Sequence, residues 1–320
     1  MFVNQQIGWE DPLFRQTAYI VVFALVVACS CIYPFRNRNP NFVTAWASLK
    51  SWIFIAPLLF FVLGSPEPWP IVGLTCITLL GSKEFFQMTG MYHRSFFVWT
   101  TYAFNIFLAV SIYRSDTAIF NLYPMLLLGV IVTIPILLNQ FKNMIQYMSL
   151  SLLNFCFLGW GFLLHTILIW KFAGGPLLVI YIILLTEFSD NIAIAYSRHF
   201  GKKHILENIS NGRTFAGFFV SMALTLLLAW GLRHLLPIRN EEYWIASGLV
   251  ASLVGGTGDL VLSIIRRDLG VRDTRAFIMG RGGFLDRLDR MIFVMPVFYF
   301  VLKFLQENPQ VSGSIRGILQ

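Results

Sequence analysis

Residues 175–197 read GPLLVIYIILLTEFSDNIAIAYS, an apolar run that nevertheless carries charged groups near its end. A membrane-spanning helix needs about 20 mostly apolar residues, because the hydrocarbon core of a bilayer is about 30 Å thick. Charged side chains are costly inside that core, so Glu187 and Asp190 each require a partner or a functional role. The run therefore predicts a spanning helix whose polar end contributes to a site.

The composition extends this reading to the whole chain. Of 320 residues, 57% are hydrophobic and only 12% are charged, and the mean hydropathy is +0.68. Soluble proteins are usually about 25% charged, so this chain has too few polar residues to cover a soluble surface. We predict an all-α, polytopic membrane bundle with about ten spanning helices. The expected spans lie near residues 17–34, 45–64, 70–83, 96–113, 121–138, 144–170, 175–197, 214–236, 243–266 and 290–306. The third is short enough for a tilted or re-entrant segment.

Neither a disulfide framework nor a zinc site is expected. The cysteines lie in apolar runs without a CxxC pair, and they are Cys29, Cys31, Cys76 and Cys156. The N-terminus lacks a basic n-region and carries Glu10 and Asp11 before the apolar run, so we expect residues 17–34 to be a retained first span and not a cleaved signal peptide.

The net charge of +8 is concentrated in alternate loops. The two largest basic loops are 198–213 and 266–290, and the positive-inside rule predicts that both face the cytoplasm and that both termini are external. Such a charge bias is equally compatible with topology, anionic lipid headgroups or a polyphosphate substrate.

The ninth expected span contains a glycine-rich turn of helix followed by a carboxylate. Three glycines, at 255, 256 and 258, permit close approach of another backbone. In a helix Asp259 and Ser263 share one face, with Arg266 and Arg267 further along at the cytoplasmic mouth. The alternative is ordinary helix packing around one buried carboxylate that an arginine neutralises.

Residues 198–214, RHFGKKHILENISNGRT, precede a helix expected to begin at Thr214 or Phe215. Small and hydroxyl residues before a helix N-terminus, with cations nearby, suit a bound phosphate. An ordinary basic loop explains the same residues equally well.

Residues 263–290 read SIIRRDLGVRDTRAFIMGRGGFLDRLDR and combine seven arginines with four aspartates. Carboxylates recruit Mg²⁺, and arginine binds phosphate oxygens in a forked geometry. This mixture is typical of magnesium-dependent polyphosphate chemistry. The alternative is a loop with surface ion pairs.

The spacing in this stretch resembles the C-terminal signature of the phosphatidate cytidylyltransferase (CDP-diacylglycerol synthase) family. The signature positions that fall in register without a gap are Ser263, Arg267, Asp273, Gly282, Gly283, Asp286, Arg287 and Asp289. Upstream matches are Asp190, Arg198, Phe200, Gly201, Lys202, Ser210, Thr214, Gly217, Gly258 and Asp259, and Lys83-Glu84-Phe85 echoes a further family feature. The resemblance covers about residues 175–305. It implies an N-terminal set of transmembrane helices, 1–174, and a cytidylyltransferase-like catalytic region, 175–320.

The chain departs from the family pattern at several positions. Three lysines of the family are arginines here, namely Arg213, Arg266 and Arg272. Two prolines of the family are replaced, by Asn211 and Met279, and a small residue is replaced by Arg275. The signature histidine is replaced by Arg281. Arginine can bind phosphate but stays protonated, so it cannot exchange a proton as histidine does. Every carboxylate of the signature is present, which favours a divergent but active enzyme.

The resemblance implies transfer of a cytidylyl group from CTP to phosphatidic acid, which gives CDP-diacylglycerol and pyrophosphate. It also implies a location in a bacterial inner or cytoplasmic membrane, with the active site facing the cytoplasm. The implied catalytic residues are Asp259, Asp286, Asp289 and Arg287. The implied ligands of Mg²⁺, alone or with a second cation, are Asp259, Asp286, Asp273 and Asp190. The implied substrate-binding residues are Arg198, Lys202, Ser210, Arg213, Thr214, Ser263, Arg266, Arg267, Arg272 and Arg281.

Other functions stay open at this point. A related transferase with a different lipid phosphate or nucleotide fits the motif changes, and a non-catalytic lipid-binding or scaffold protein fits the same fold. A transporter fits less well, because its ionisable residues would lie near the midplane rather than at one mouth. The expected partners are CTP, phosphatidic acid and membrane lipids but no nucleic acid, and a homodimer is an open alternative.

Overall fold

The computed structural model describes residues 7–35, 40–200, 204–206, 210–238, 240–268 and 283–308. Within these ranges each of the expected apolar segments is helical. The helices are α1 Pro12–Ile32, α2 Pro40–Gly64, α3 Trp69–Met88, α4 Ser95–Tyr113, α5 Tyr123–Leu138, α6 Met144–Asn154, α7 His165–Trp170, α8 Gly175–Phe200, α9 Phe215–Gly231, α10 Glu241–Leu249, α11 Gly255–Asp268, the short α12 Leu285–Leu288, and α13 Met291–Glu307.

Two pairs of helices are joined by wide π-helical turns into longer continuous helices. Phe155–Leu164 joins α6 to α7, and Val250–Val254 joins α10 to α11. Insertions of this kind are often found next to functional sites. The second one directly precedes the turn of α11 that carries Asp259.

Six helical stretches in the described part of the chain are long and apolar enough to cross a membrane. They are Pro12–Phe35, Ser95–Tyr113, Ala118–Leu138, Met144–Trp170, Gly175–Phe200 and Glu241–Asp268. Ser48–Gly64 and Phe215–Gly231 are apolar but shorter. The polytopic all-α membrane architecture is thus supported, whereas the expected count of about ten spans is not confirmed.

The third expected segment is longer than the hydropathy indicated. Helix α3 continues through Lys83 and Glu84 to Met88, and the chain then turns at Gly90, whose φ of +68° suits glycine. The extra turns bring Glu84 to α12, so the polar residues that shortened the hydropathy run have a structural role.

Helix α8 lies among the other helices and buries the polar residues within 186–190 near its middle. The Tyr181 hydroxyl donates to the carbonyl of Ala229 at 3.0 Å, which ties α8 to α9. Before α8 begins, Lys171 Nζ lies 3.2 Å from Glu67 Oε1 and donates to the Ile112 carbonyl at 2.8 Å. The contacts of Lys171 hold the chain just before the N-terminal end of α8.

A small β-hairpin precedes α9, where the sequence analysis expected only a loop. Strands β1 His204–Leu206 and β2 Ser210–Thr214 pair antiparallel, with His204 opposite Thr214 and Leu206 opposite Ser210. Helix α9 begins at Phe215 as expected, with Thr214 as its N-cap residue. The hairpin therefore delivers Arg213 and Thr214 to the start of α9.

Candidate active site

Two acidic side chains near the middle of α8, Glu187 and Asp190, meet charged side chains of β2, α11 and the α12–α13 segment. We call this group the ion-pair cluster, and it comprises Glu187, Asp190, Arg213, Asp259, Arg266, Asp286, Arg287, Asp289 and Arg290. Most of these positions belong to the predicted site, whereas Glu187 and Arg290 do not.

Arg213 bridges two carboxylates that lie far apart in the sequence. Its Nη2 atom lies 2.8 Å from Asp190 Oδ1 and 2.9 Å from Asp259 Oδ2, and its Nε atom donates to Asp259 Oδ2 at 3.0 Å. The glycine at 256 leaves room for the guanidinium, because a Cβ there would lie 3.1 Å from Nη1. Asp190 and Asp259 are thereby held side by side around one cation.

Arg290 forms the second bridge and contacts two acidic residues of α8. Its Nη2 atom lies 2.5 Å from Asp190 Oδ2, and its Nη1 atom lies 3.6 Å from Glu187 Oε1. The Arg290 side chain is 13% exposed, so the pair lies mostly out of solvent. Glu187 and Asp190 are three residues apart on one helical face, which is the sequence signal that could have identified Glu187.

Asp289 is buried beside this arginine. Its side chain is 4% exposed, and its Oδ1 atom accepts a hydrogen bond from the backbone N–H of Arg290 at 2.7 Å. Burial raises the pKa of the Asp289 carboxyl to about 8; Arg290 opposes the shift, and Asp259, Asp190 and Asp286 add to it. A carboxyl with a pKa above 7 is mostly protonated at neutral pH, even with Arg290 beside it.

Asp286 lies on α12 and pairs with Arg266 of α11. The backbone N–H of Gly283 also donates to Asp286 Oδ2, at 3.3 Å. Helix α12 is held in turn by Glu84 of α3, whose Oε2 atom accepts from the Leu285 N–H at 2.8 Å. The N-terminal half of the chain therefore helps to position the predicted Asp286.

Arg287 points toward α2 and α8. Its Nη1 atom lies 3.9 Å from Glu187 Oε2, and its Cζ atom lies 5.6 Å from the centre of the Trp52 ring. A guanidinium near an aromatic ring gains a cation–π attraction. Trp52 is a second neighbour of the site that sequence reasoning missed, because its position in a long apolar run gives no signal.

Thr214 is a buried helix cap in this structure. Its Oγ1 atom accepts from the Gly217 N–H at 3.2 Å and donates to Ser197 Oγ at 3.0 Å. Thr214 also lines a cavity of about 20 Å³ together with Asp190, Arg213 and Arg290. Its hydroxyl already has partners in Ser197 and Gly217, so its predicted role in binding phosphate stays a prediction.

The remaining predicted site residues are distributed as follows. Arg198 is exposed eight residues after Asp190, about 12 Å further along α8, and lies outside the ion-pair cluster. Ser263 is half-buried one turn after Asp259, and Arg267 is exposed on the same helix. Ser210 lies in β2. Lys202, Arg272, Asp273 and Arg281 lie outside the described residues.

The donor chemistry of the ion-pair cluster fits a hard divalent cation. Among the described residues no group of three or more His, Cys, Asp or Glu side chains is arranged to hold a metal ion. Mg²⁺ usually takes only one or two carboxylates and completes its shell with water and substrate phosphates. The carboxylates of Asp190 and Asp259 meet that smaller requirement, since Asp259 retains lone pairs beyond those used by Arg213, and Asp190 retains lone pairs beyond those used by Arg213 and Arg290.

The glycine at 258 is required by the packing of α11 against the α12–α13 segment. A Cβ there would lie 2.0 Å from the carbonyl oxygen of Asp289. We expect Gly258→Ala to lower the free energy of unfolding by about 1–3 kcal/mol, because backbone must move to relieve the overlap. Thermal unfolding in detergent measures this change.

The matched control is Gly129→Ala on α5, where no atom lies within 4 Å of the added methyl. That variant should be neutral or more stable by up to about 1 kcal/mol, because alanine favours helix more than glycine does. Equal stability of the two variants would contradict the close contact at position 258.

The sequence of this chain is similar to those of several known proteins. The model of the cytidylyltransferase family matches residues 46–305. Uncharacterized protein YnbB of Escherichia coli (strain K12) is 32% identical over 131 residues, which are 41% of this chain and 44% of that protein. Phosphatidate cytidylyltransferase of Staphylococcus aureus (strain COL) is 29% identical over 165 residues, 50% of this chain and 62% of that enzyme.

A third relative has a similar identity and covers a similar share of the chain. Phosphatidate cytidylyltransferase of Bacillus subtilis (strain 168) is 34% identical over 130 residues, 40% of this chain and 48% of that enzyme. The chain thus matches about half the length of these curated relatives. The family match, in contrast, covers most of this chain and includes every described residue of the ion-pair cluster. The chain belongs to the cytidylyltransferase family.

Proposed function

We propose that the protein transfers a cytidylyl group from CTP to phosphatidic acid and releases pyrophosphate. The observation that carries the proposal is the Arg213 bridge, which places two carboxylates and a cation together inside the family-matched segment. The names of the S. aureus and B. subtilis relatives support the choice of phosphatidate as the acceptor.

The proposed reaction needs no covalent intermediate on the protein. A phosphate oxygen of the lipid attacks the α-phosphorus of CTP, the bond from that phosphorus to the β-phosphate oxygen breaks, and pyrophosphate leaves. The negative charge on the reacting phosphates requires fixed positive groups. In our proposal Arg213, Arg266 and Arg287 supply them by exchanging part of their carboxylate contacts for phosphate oxygens.

We propose Asp259 and Asp190 as the residues that would hold Mg²⁺, with Asp286 and Asp273 as further ligands or as ligands of a second cation. Oxygen ligands and a neighbouring phosphate site suit this ion. When bound, it would neutralise phosphate charge and help to orient the nucleotide. Asp289, which is buried beside Arg290, would act on this arrangement by positioning that arginine.

The departures from the family signature favour a second candidate, a cytidylyltransferase-type reaction with another lipid phosphate or nucleotide. Arg281 replaces the signature histidine and adds a permanent cation near the site's sequence motif. A site with an additional cation would favour a more highly charged acceptor.

A substrate panel separates these candidates. Purified protein in detergent micelles would be given each of the four nucleoside triphosphates with phosphatidic acid, and CTP with a series of lipid phosphates. We expect product only with CTP and phosphatidic acid in the presence of Mg²⁺. Product with a different lipid phosphate would favour the second candidate, and no product with any pair would contradict the proposed function.

The proposed location is a bacterial inner membrane with the site on the cytoplasmic side, because CTP is a cytoplasmic metabolite and the basic loops predict that orientation. We expect His199→Cys and Asp268→Cys, each the only cysteine in the chain, to resist an impermeant maleimide added to intact spheroplasts. Asp116→Cys, on the opposite side in the predicted topology, should be labelled. Labelling of either of the first two from outside would contradict the orientation.

A further inference from the structure

An apolar cavity of about 460 Å³ lies between α1, α2, α8 and α9. Its walls are mostly aliphatic and include Val21, Leu25, Leu59, Ile183, Leu184 and Leu228. The volume falls within the range of about 300–1,000 Å³ that is usual for ligand sites. The cavity therefore has the size and chemistry to hold part of an apolar molecule.

One end of the cavity is polar and adjoins the ion-pair cluster. Glu187, Asn191 and Trp52 line it. The carboxylate of Glu187 is also the partner of Arg290, at 3.6 Å, and of Arg287, at 3.9 Å. One carboxylate thus belongs both to the wall of the cavity and to the ion-pair cluster, so the apolar space leads directly to two guanidinium groups.

A ligand that fills both regions must have an apolar tail and an anionic head. Arginine forms strong, forked hydrogen bonds with phosphate, and an aliphatic wall favours hydrocarbon. We propose that this cavity holds an acyl chain of the lipid phosphate substrate, with its phosphate beside Arg287 and Arg290. The proposal rests on the proposed function and adds to it the place where the lipid tail lies.

The cavity is more than a lipid-facing furrow, because part of its wall is buried. Ala56 is 5% exposed and Phe60 is 3% exposed, whereas outward-facing Phe61 on the same helix is 64% exposed. Val21 and Leu25 come from α1, which lies before the segment that matches the family. In this proposal helix α1 therefore contacts the acyl chain of the lipid and helps to set which acyl chain lengths the protein prefers.

Two neighbouring positions on α2 provide a matched test. Leu59 lines the cavity, whereas Leu58 is 55% exposed on the outer surface of the helix. We expect Leu59→Trp to raise the KM for phosphatidic acid with long acyl chains by about tenfold or more and to leave the KM for a short-chain analogue nearly unchanged. Leu58→Trp should behave as the wild type with both. Equal effects of the two substitutions, or an equal effect of Leu59→Trp on both lipids, would overturn the proposal.

A second measurement uses the wild-type protein and does not depend on turnover. A phosphatidic acid with a photoreactive group at the end of one acyl chain would be cross-linked in micelles, and the labelled peptides identified by mass spectrometry. We expect label on the lining residues Val21, Leu25, Leu59, Phe60, Ile183 or Leu184, reduced by an excess of unlabelled phosphatidic acid. Label confined to outward positions such as Phe54 and Leu58 would overturn the proposal.

The two results also separate this inference from the proposed function. Specific label in the cavity without any CTP turnover would support the tail site and contradict the proposed reaction. CTP turnover with label only on the outer surface would support the reaction and overturn the tail site.

Discussion

Asp259→Asn should reduce cytidylyl transfer by on the order of 10³-fold while the helical bundle stays folded, because removal of one preorganised electrostatic group has an effect of this size. The carboxylate accepts a hydrogen bond from Nε of Arg213 at 3.0 Å and lies 2.9 Å from its Nη2 atom, and it is a proposed Mg²⁺ ligand. Asparagine preserves the volume but removes the charge. The side chain is 25% exposed, so the cost to stability should be small. Turnover with labelled CTP and circular dichroism in detergent measure the two quantities.

The control is the same substitution at the other end of the same helix. Asp268 is exposed at the C-terminal end of α11, so Asp268→Asn should leave turnover within about twofold, since exposed charges contribute little. Full activity of Asp259→Asn would refute its catalytic assignment. Loss of folded protein in that variant would instead identify Asp259 as a structural partner of Arg213.

Arg290→Met should destabilise the protein by about 3–5 kcal/mol, the usual cost of leaving a buried charge without its partner. Arg290 lies 2.5 Å from Asp190 and 3.6 Å from Glu187, and both carboxylates are largely buried. Methionine retains the apolar stem and removes only the guanidinium. Unfolding followed by circular dichroism in a detergent and denaturant titration measures the change.

Arg233→Met is the matched control for this prediction. Arg233 is 47% exposed and lies 4.0 Å from Glu241, so its pair should contribute less than about 1 kcal/mol. Adding Glu187→Gln to Arg290→Met should recover part of the lost stability, because it removes one of the unpaired charges. Equal stability of Arg290→Met and Arg233→Met would contradict the buried bridge.

The positions of the helices were predictable because hydropathy locates apolar runs directly, although α3 is longer and α9 shorter than those runs indicated. The start of α9 was also predictable, since Thr214 is a favoured N-cap residue and a hydrophobic run follows it. The number of spans was harder to derive. Helix α9, for example, has only 17 residues. It ends at Gly231, whereas the predicted span ended at residue 236.

The members of the site were predictable from motif spacing, but their pairing was not. Asp190 and Asp259 were expected as Mg²⁺ ligands and Arg213 as a substrate-binding residue, and in the structure one guanidinium contacts both carboxylates. Asp286 was also expected as a Mg²⁺ ligand, and the motif did not indicate that its carboxylate pairs with Arg266. Pairing depends on how helices distant in sequence pack together, and a local pattern contains no such information.

The residues that support the ion-pair cluster were the hardest to identify from the sequence. Glu84 holds the start of α12 from a helix about two hundred residues earlier, and its only indication was the Lys83-Glu84-Phe85 tripeptide. Trp52 and the aliphatic wall of the apolar cavity look like any other transmembrane sequence, because their role is visible only when α1, α2, α8 and α9 are assembled. The hairpin before α9 was missed because residues 198–214 have the composition of a basic loop.

The most direct measurement follows the two ends of the triphosphate separately. Purified protein would be incubated with phosphatidic acid, Mg²⁺ and CTP labelled either at the α-phosphate or at the γ-phosphate, with Asp259→Asn as the inactive control. The account predicts that the α-label enters the lipid fraction, that the γ-label appears in pyrophosphate in equal amount, and that Asp259→Asn shows neither. Transfer of the γ-label to the lipid, or no label in the lipid from either position, would contradict cytidylyl transfer by this protein.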